Sequence, residues 1–319
     1  MNGLTEHKKI AALELIDTVS WRKLAKMLEV PKSTLSDFLR SYKHTSYKNV
    51  EINNPPERGP KVLVFDIEYA PAKVLAFGRY KQNICQDFVM EEGYMLSFAA
   101  KWLNNPVIAS YALPYYDRYE YDPKNDCNLV SDLHELLNTA DIIVAHNLKG
   151  YDWKTANTRF VYHGFDPISP VKLVDTLDIA RHNFRFPNNK LDTIAQYLGV
   201  GEKLDTGGAS LWRECMDGDS DSWKLMVEYN TVDVEVLENV YMKLRPWDKR
   251  HPNLAMYYPD SKPRCTVCGS LELAYTDKKA FTGVSEFSVY QCNNCGHHVR
   301  SRQTNLSKSK RESIMMNIQ

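Results

Sequence analysis

The stretch Lys61-Val62-Leu63-Val64-Phe65-Asp66-Ile67-Glu68-Tyr69 decides how the chain is read. Its β-branched and aromatic residues predict a strand. Side chains alternate along a strand, so Asp66 and Glu68 leave one face together while Phe65 and Ile67 leave the other. Two carboxylates side by side at a sheet surface repel unless something positive lies between them, and a divalent cation with oxygen ligands is the usual answer. A DxE pair alone is weak, because a solvent-facing strand explains it as well.

Downstream, strand-like runs follow at 73–78 (KVLAFG), 92–103 (EGYMLSFAAKWL) and 106–113 (PVIASYAL). The pattern then turns mixed. Residues 131–140 read as a helix, 141–147 (DIIVAHN) as a buried strand, and 153–164 as a helix closed by Gly164. Residues 191–199 and 221–244 are helical by apolar spacing. Antiparallel-looking strands followed by alternating helix and strand predict a mixed α/β sheet flanked by helices. In that frame Asp152 leaves a buried strand near a helix start. Tyr229 and Asp233, four apart, share one helix face. Asp175 and Asp178 are expected to cap or face solvent, and Asn147 to fix the local turn or touch substrate.

At 319 residues the chain has room for two or three domains of about 100 to 200 residues each. Breakers cluster at 45–60 (Asn53-Asn54-Pro55-Pro56, Gly59-Pro60) and at 246–263, marking two junctions. No apolar run approaches the roughly 18 residues of a membrane span, and the N-terminus does not read as a secretory signal, so a cytoplasmic protein is expected. Charge is uneven. Residues 1–50 and 259–319 each hold nine Lys or Arg against five Asp or Glu, while 51–258 hold 22 against 30. Basic flanks around an acidic centre suit a protein that grips a polyanion at its ends and binds cations in its middle; ordinary charge scatter is the plainer reading. Of seven cysteines, Cys265, Cys268, Cys292 and Cys295 form two CxxC pairs, which suggest metal and not disulfides. Cys85, Cys127 and Cys215 read as small core residues.

Taken in order, FDIE at 65–68, NLKGYD at 147–152 and YNTVD at 229–233 resemble the three motifs of the DEDD exonuclease superfamily, in the tyrosine-bearing branch that includes the proofreading domains of family B DNA polymerases. The segments 190–208 and 240–254 extend the likeness to the DnaQ-like proteins of bacteriophages. This resemblance, over residues 61–254, implies an RNase H-like fold and 3'-5' exonuclease activity with two Mg2+ or Mn2+ ions about 4 Å apart. It implies that Asp66 bridges both ions, that Glu68 and Asp233 complete the site that activates water, and that Asp152 holds the second ion partly through waters. Tyr229 would orient the attacking water. All-carboxylate ligation suits magnesium or manganese better than zinc.

Residues 21–40, WRKLAKMLEVPKSTLSDFLR, place Leu24, Ala25, Leu28, Val30, Leu35 and Phe38 at the apolar positions of a helix-turn-helix, and resemble that motif in bacterial and phage DNA-binding proteins. Glu29 departs from it, standing where the turn commonly has glycine. The likeness implies that Lys32, Ser33, Thr34 and Ser36 begin a helix facing the major groove, and that Arg40 and Lys43 meet phosphate. A helical hairpin for protein contacts is the alternative. CTVCGS at 265–270 and CNNCGHH at 292–298 resemble a zinc ribbon, with four thiolates around one structural Zn2+ and His297 and His298 left to solvent or nucleic acid.

The expected architecture is therefore a helix-turn-helix domain (1–45), a linker (46–60), an RNase H-like exonuclease domain (61–250), a zinc ribbon (260–300) and a basic tail with the composition of a disordered segment (301–319). The expected partner is nucleic acid, with DNA favoured, in a bacterial or phage-infected cell. The competing reading is a non-catalytic DNA-binding regulator on an RNase H-like core. A transposase or resolvase fits less well, since neither DxE on one strand nor YxxxD is expected there.

Overall fold

The computed structural model describes residues 8, 21–31, 34–35, 55–78, 80–204 and 206–316. α1 (Trp21–Met27) precedes the strand that organises the molecule, β1 (Val62–Tyr69). Further strands follow in chain order: β2 (Lys73–Val74), β3 (Val89–Glu91), β4 (Met95–Trp102), β5 (Ala109–Ala112), β6 (Ile142–Ala145) and β7 (Lys172–Asp175). Five of them form one sheet in the order β5-β4-β1-β6-β7. β4 runs antiparallel to β1 and to β5, while β6 and β7 run parallel to β1. Parallel neighbours need a crossover, supplied by α2 (Cys127–Thr139) before β6 and α3 (Asp152–Tyr162) before β7. The fold is thus the expected mixed α/β sheet flanked by helices.

Val62 to Phe65 are buried, as are Phe98 and Trp102 on β4 and Ile142 to Ala145 on β6. Each large apolar side chain buried in this way contributes about 1.5–3 kcal/mol. Beyond β7 come α4 (Thr176–Asn183), α5 (Leu191–Leu198), α6 (Ser210–Met216) and α7 (Ser220–Leu244). α7 starts at Asp219, whose carboxylate accepts from the Ser222 N–H at 2.8 Å. It crosses β4, β1 and β5, burying Met226, Asn230, Val234, Leu237 and Tyr241 at helical spacing. A buried Lys101–Glu238 ion pair fastens its later half to β4.

The second sheet is β8 (Leu273–Phe281), β9 (Glu286–Cys292) and β10 (His298–Arg300), in the order β10-β9-β8. Residues 301–316, expected to be a disordered tail, instead follow β9: Ser301 N–H donates to Ser288 O and Asn305 N–H to Glu286 O, each at 2.8 Å. They end in α8 (Lys308–Glu312), capped by Ser307. Polar side chains add to these backbone bonds, Thr304 Oγ1 donating to Glu286 O at 3.0 Å and Ser288 Oγ to Asn305 Oδ1 at 3.1 Å.

The strand expected at 73–78 shrinks to Lys73–Val74. It pairs antiparallel with β3 as a separate two-stranded ribbon, Leu75 N–H donating to Phe88 O at 2.8 Å, while the side chains of Leu75 and Phe77 lie exposed. In the N-terminal segment Ala25 and Leu35 are buried, and Glu29 takes the left-handed backbone (φ 51°) that glycine would supply. Val30 N–H donates to Ala25 O at 3.1 Å, closing the turn. Of the candidate DNA-contacting residues only Thr34 is described, as helical; Lys32, Ser33, Ser36, Arg40 and Lys43 lie outside the described residues. Among the described residues no helix is long and apolar enough to cross a membrane.

Candidate functional site

Asp66 and Glu68 leave the same face of β1, opposite Ala99 and Ser97 of β4, whose small side chains leave room above them. α7 lays Asp233 over this spot. A carboxylate oxygen from each of Asp66, Glu68 and Asp233 lies within 4.8 Å of the other two. Glu68 and Asp233 are buried, the latter 1% exposed. Asp152, at the start of α3 and 2% exposed, falls outside this tight trio but is close enough for its charge and that of Asp66 to oppose each other.

Three acids crowded out of water resist ionisation. Burial, then the charge of Asp233, pushes Asp66 from 3.8 up to about 7. Burial, then Asp66 and Asp233, pushes Glu68 from 4.5 up to about 9. Burial and then Asp66 hold Asp152 well above the carboxylate range. Asp233 is also raised by burial, against the pull of Lys203. Its Oδ1 is buried without a hydrogen-bond partner. An orphaned oxygen among crowded carboxylates fits a divalent cation with oxygen ligands, magnesium or manganese before zinc.

Three partners of these acids were not singled out from sequence. Lys203, between α5 and α6, pairs with Asp233, and its ammonium donates to the Tyr229 hydroxyl at 3.2 Å. Burial alone would lower the Lys203 pKa, yet the charges of Asp233 and Asp66 hold it above its ordinary value. Trp212 of α6 donates its indole N–H to Glu68 Oε2 at 3.1 Å and meets the Tyr229 ring edge-on at 5.8 Å between centroids. Asn230, fully buried, donates to Asp66 Oδ2 at 3.1 Å and to Asp66 O at 3.3 Å, and accepts from Ser97 Oγ at 3.3 Å. Asn230 stands three residues before Asp233, so helical spacing could have found it. Lys203 and Trp212 reach the acids through a turn whose path sequence does not specify.

Asp175 caps α4, accepting from Leu177 N–H at 3.0 Å, and binds Asn147 N–H at 2.9 Å and Lys149 N–H at 3.0 Å. Asp178 pairs with Lys149 at 2.8 Å. Asn147 has φ 65° and accepts from Gly150 and Tyr151 N–H, the turn that delivers Asp152.

In the second sheet the four paired cysteines converge. Sulfur separations are 3.6 Å for Cys265–Cys295 and 3.5 Å for Cys268–Cys292. A disulfide needs about 2.05 Å, whereas zinc–sulfur bonds of about 2.3 Å put tetrahedral sulfurs about 3.8 Å apart. Gly269 (φ 75°) and Gly296 (φ 79°) close each CxxC turn, donating to Cys265 O at 3.0 Å and Cys292 O at 2.8 Å. The four sulfurs therefore fit one zinc ion. His297, expected to face solvent or nucleic acid, is tied by Nδ1 to Pro246 O at 2.6 Å, joining this sheet to the chain that follows α7. Of the lone cysteines Cys215 is buried as expected, Cys127 half-buried and Cys85 exposed.

A family model described as RNase_H superfamily matches residues 97–245. This span takes in Asp152, Lys203, Tyr229 and Asp233 and leaves β1 outside. Among the solved structures that match is that of a family B DNA polymerase from the hyperthermophilic archaeon Pyrobaculum calidifontis, at 18% identity and a TM-score of 0.41, covering 59% of this chain and 25% of that one. The chain thus spans about a quarter of that polymerase's length. A search of curated proteins finds no match. Strand order, strand direction and the family match over 97–245 agree: the mixed sheet with its flanking helices is consistent with an RNase H-like fold.

Proposed function

We propose that the protein is a metal-dependent nuclease that removes nucleotides from the 3' end of DNA. The observation that carries this reading is the trio of half-buried Asp66 with buried Glu68 and Asp233, with the Tyr229 hydroxyl beside it and Asp233 Oδ1 unpaired. Such a cluster is costly in a protein that only binds DNA, because three crowded acids facing one lysine, Lys203, oppose folding. Asp66, Glu68 and Asp233 would hold divalent cations, with Asp152 serving a second ion. When bound, the ions would neutralise the phosphate and make water a competent nucleophile at neutral pH.

The chain's own groups do the remaining work. Tyr229, held between Lys203 and the Trp212 ring, positions a water for attack on the phosphorus. Trp212 and Asn230 fix the rotamers of Glu68 and Asp66. The four-cysteine sheet would hold one structural zinc, and the N-terminal helical segment would grip duplex DNA.

Digestion of 5'-labelled and 3'-labelled oligonucleotides in magnesium, beside Asp66→Ala, tests the proposal. Stepwise shortening of the 5'-labelled strand and immediate release of label from the 3'-labelled one, both lost in the variant, are expected. Binding with no cleavage by intact protein would leave the regulator reading in its place.

A further inference from the structure

Four aromatic rings that the nuclease reading does not use touch one another in succession, supplied by α5, by the segment after α4 and by the segment after α7. Tyr197 of α5 meets Phe186 at 5.6 Å between centroids, Phe186 meets Phe184 at 5.2 Å, and Phe184 meets Trp247 at 5.7 Å. The two phenylalanines are half-buried against the core, while the end rings stand out into solvent, Tyr197 67% and Trp247 63% exposed. Burial alone does not explain four rings touching in succession, two of the contacts edge-on, with the rings at both ends bare. Each segment that supplies a ring also supplies an exposed cation. Arg185 stands between the phenylalanines, Lys190 begins the helix that carries Tyr197, and Lys249 and Arg250 follow Trp247. No acidic residue occurs from 179 to 191, and Asp248 is buried.

The row joins two places already described. At one side, Asn189 O bonds His146 Nε2 at 2.9 Å, and His146 adjoins the turn that delivers Asp152. Tyr197 leads through Gly199 and Gly201 to Lys203, which sits on Asp233. At the other side, Pro246 next to Trp247 is held by His297 of the cysteine-bearing sheet. Rings with exposed cations around them are what a single strand of nucleic acid requires: faces for the bases and charges for the phosphates.

We propose that the Tyr197–Phe186–Phe184–Trp247 row is a stacking platform for the single strand of DNA that leads to the acid pocket. This rests on the nuclease reading for the location of the scissile bond but not for the binding itself. Duplex DNA has its bases paired and stacked internally and offers such rings nothing, so the occupant is a strand already separated. The row would select single-stranded over double-stranded ends and hold the strand after each cut.

The test is fluorescence anisotropy of a labelled oligothymidylate with the full-length, zinc-loaded protein in buffer without magnesium or manganese, which separates binding from cleavage. Trp247→Ala and Tyr197→Ala are each expected to weaken binding about tenfold, with Trp247→Phe close to wild type. Arg185→Gln with Lys249→Gln should flatten the salt dependence by roughly one unit of slope for each phosphate no longer neutralised. With manganese, hydrolysis of thymidine 5'-(p-nitrophenyl phosphate), too short to reach the row, should be unchanged in the Trp247 and Tyr197 variants, which also controls for folding. Unchanged oligonucleotide affinity in both ring variants would overturn the platform, as would tighter binding of RNA or a loss in the ring variants of duplex affinity equal to the loss of single-strand affinity. Ring-dependent binding by a wild-type protein that hydrolyses neither substrate would uphold the platform and sink the nuclease reading.

Discussion

Asn230 joins α7 to β1 through Asp66: its amide donates to both the carboxylate and the backbone oxygen of that one residue, at 3.1 and 3.3 Å. The contact spans 164 positions of sequence and sets how far Asp233, one turn later, stands from Asp66. Replacing Asn230 with Ala leaves Ser97 Oγ and the Asp66 backbone oxygen buried without this partner. A loss of about 1–3 kcal/mol in urea unfolding is expected, together with weakened manganese binding. Full stability in Asn230→Ala would show that the tie is incidental.

Lys203 places its ammonium where the acids most need positive charge. Lys203→Met should destabilise the metal-free protein by an amount on the order of 3 kcal/mol and lower its Tm, since it leaves buried acids unpaired. Saturating manganese should recover most of the loss. Thermal scans in EDTA and in manganese measure both; equal melting of variant and wild type in EDTA would contradict the role given to this lysine.

The raised carboxyl pKa values carry a sign. A carboxyl with a folded pKa above its unfolded value favours folding while protonated, and opposes it progressively as pH rises through the window between the two. For Asp66 the window runs from 3.8 to about 7 and for Glu68 from 4.5 to about 9. Metal-free protein should therefore lose stability as pH climbs across that range, and magnesium should restore more at the alkaline end. A Tm in EDTA that stays flat or rises would mean that the acids do not crowd one another.

The four-cysteine cluster should hold one zinc per chain in purified protein, measured by elemental analysis. Cys268→Ser is expected to release it and to expose the second sheet to proteolysis while the central sheet survives. A disulfide between any two of these cysteines would refute the assignment.

Sequence made the central sheet legible because β1 and β6 are short apolar runs, with Asp66 and Glu68 at alternate positions along β1. Tyr229 and Asp233 share a face because helical spacing requires it. What could not be seen was how the chain returns to the pocket. Lys203 and Trp212 reach Asp233 and Glu68 only because the glycine-bearing stretch after α5 folds back over β1, a tertiary event without local pattern. Apolar content misled at 73–78, where Leu75 and Phe77 stay exposed beside a two-stranded ribbon, and polarity misled at 301–316, where backbone and side-chain bonds tie the chain to β9. Glu29 took the turn backbone without being glycine.

Binding of divalent cations by the clustered acids underlies every catalytic role given above. Calorimetric titration of manganese into zinc-loaded protein with a bound mononucleotide should count two further ions, and Asp66→Asn should abolish or sharply weaken both. Absence of manganese binding by the wild type, or binding indifferent to Asp66, would contradict it.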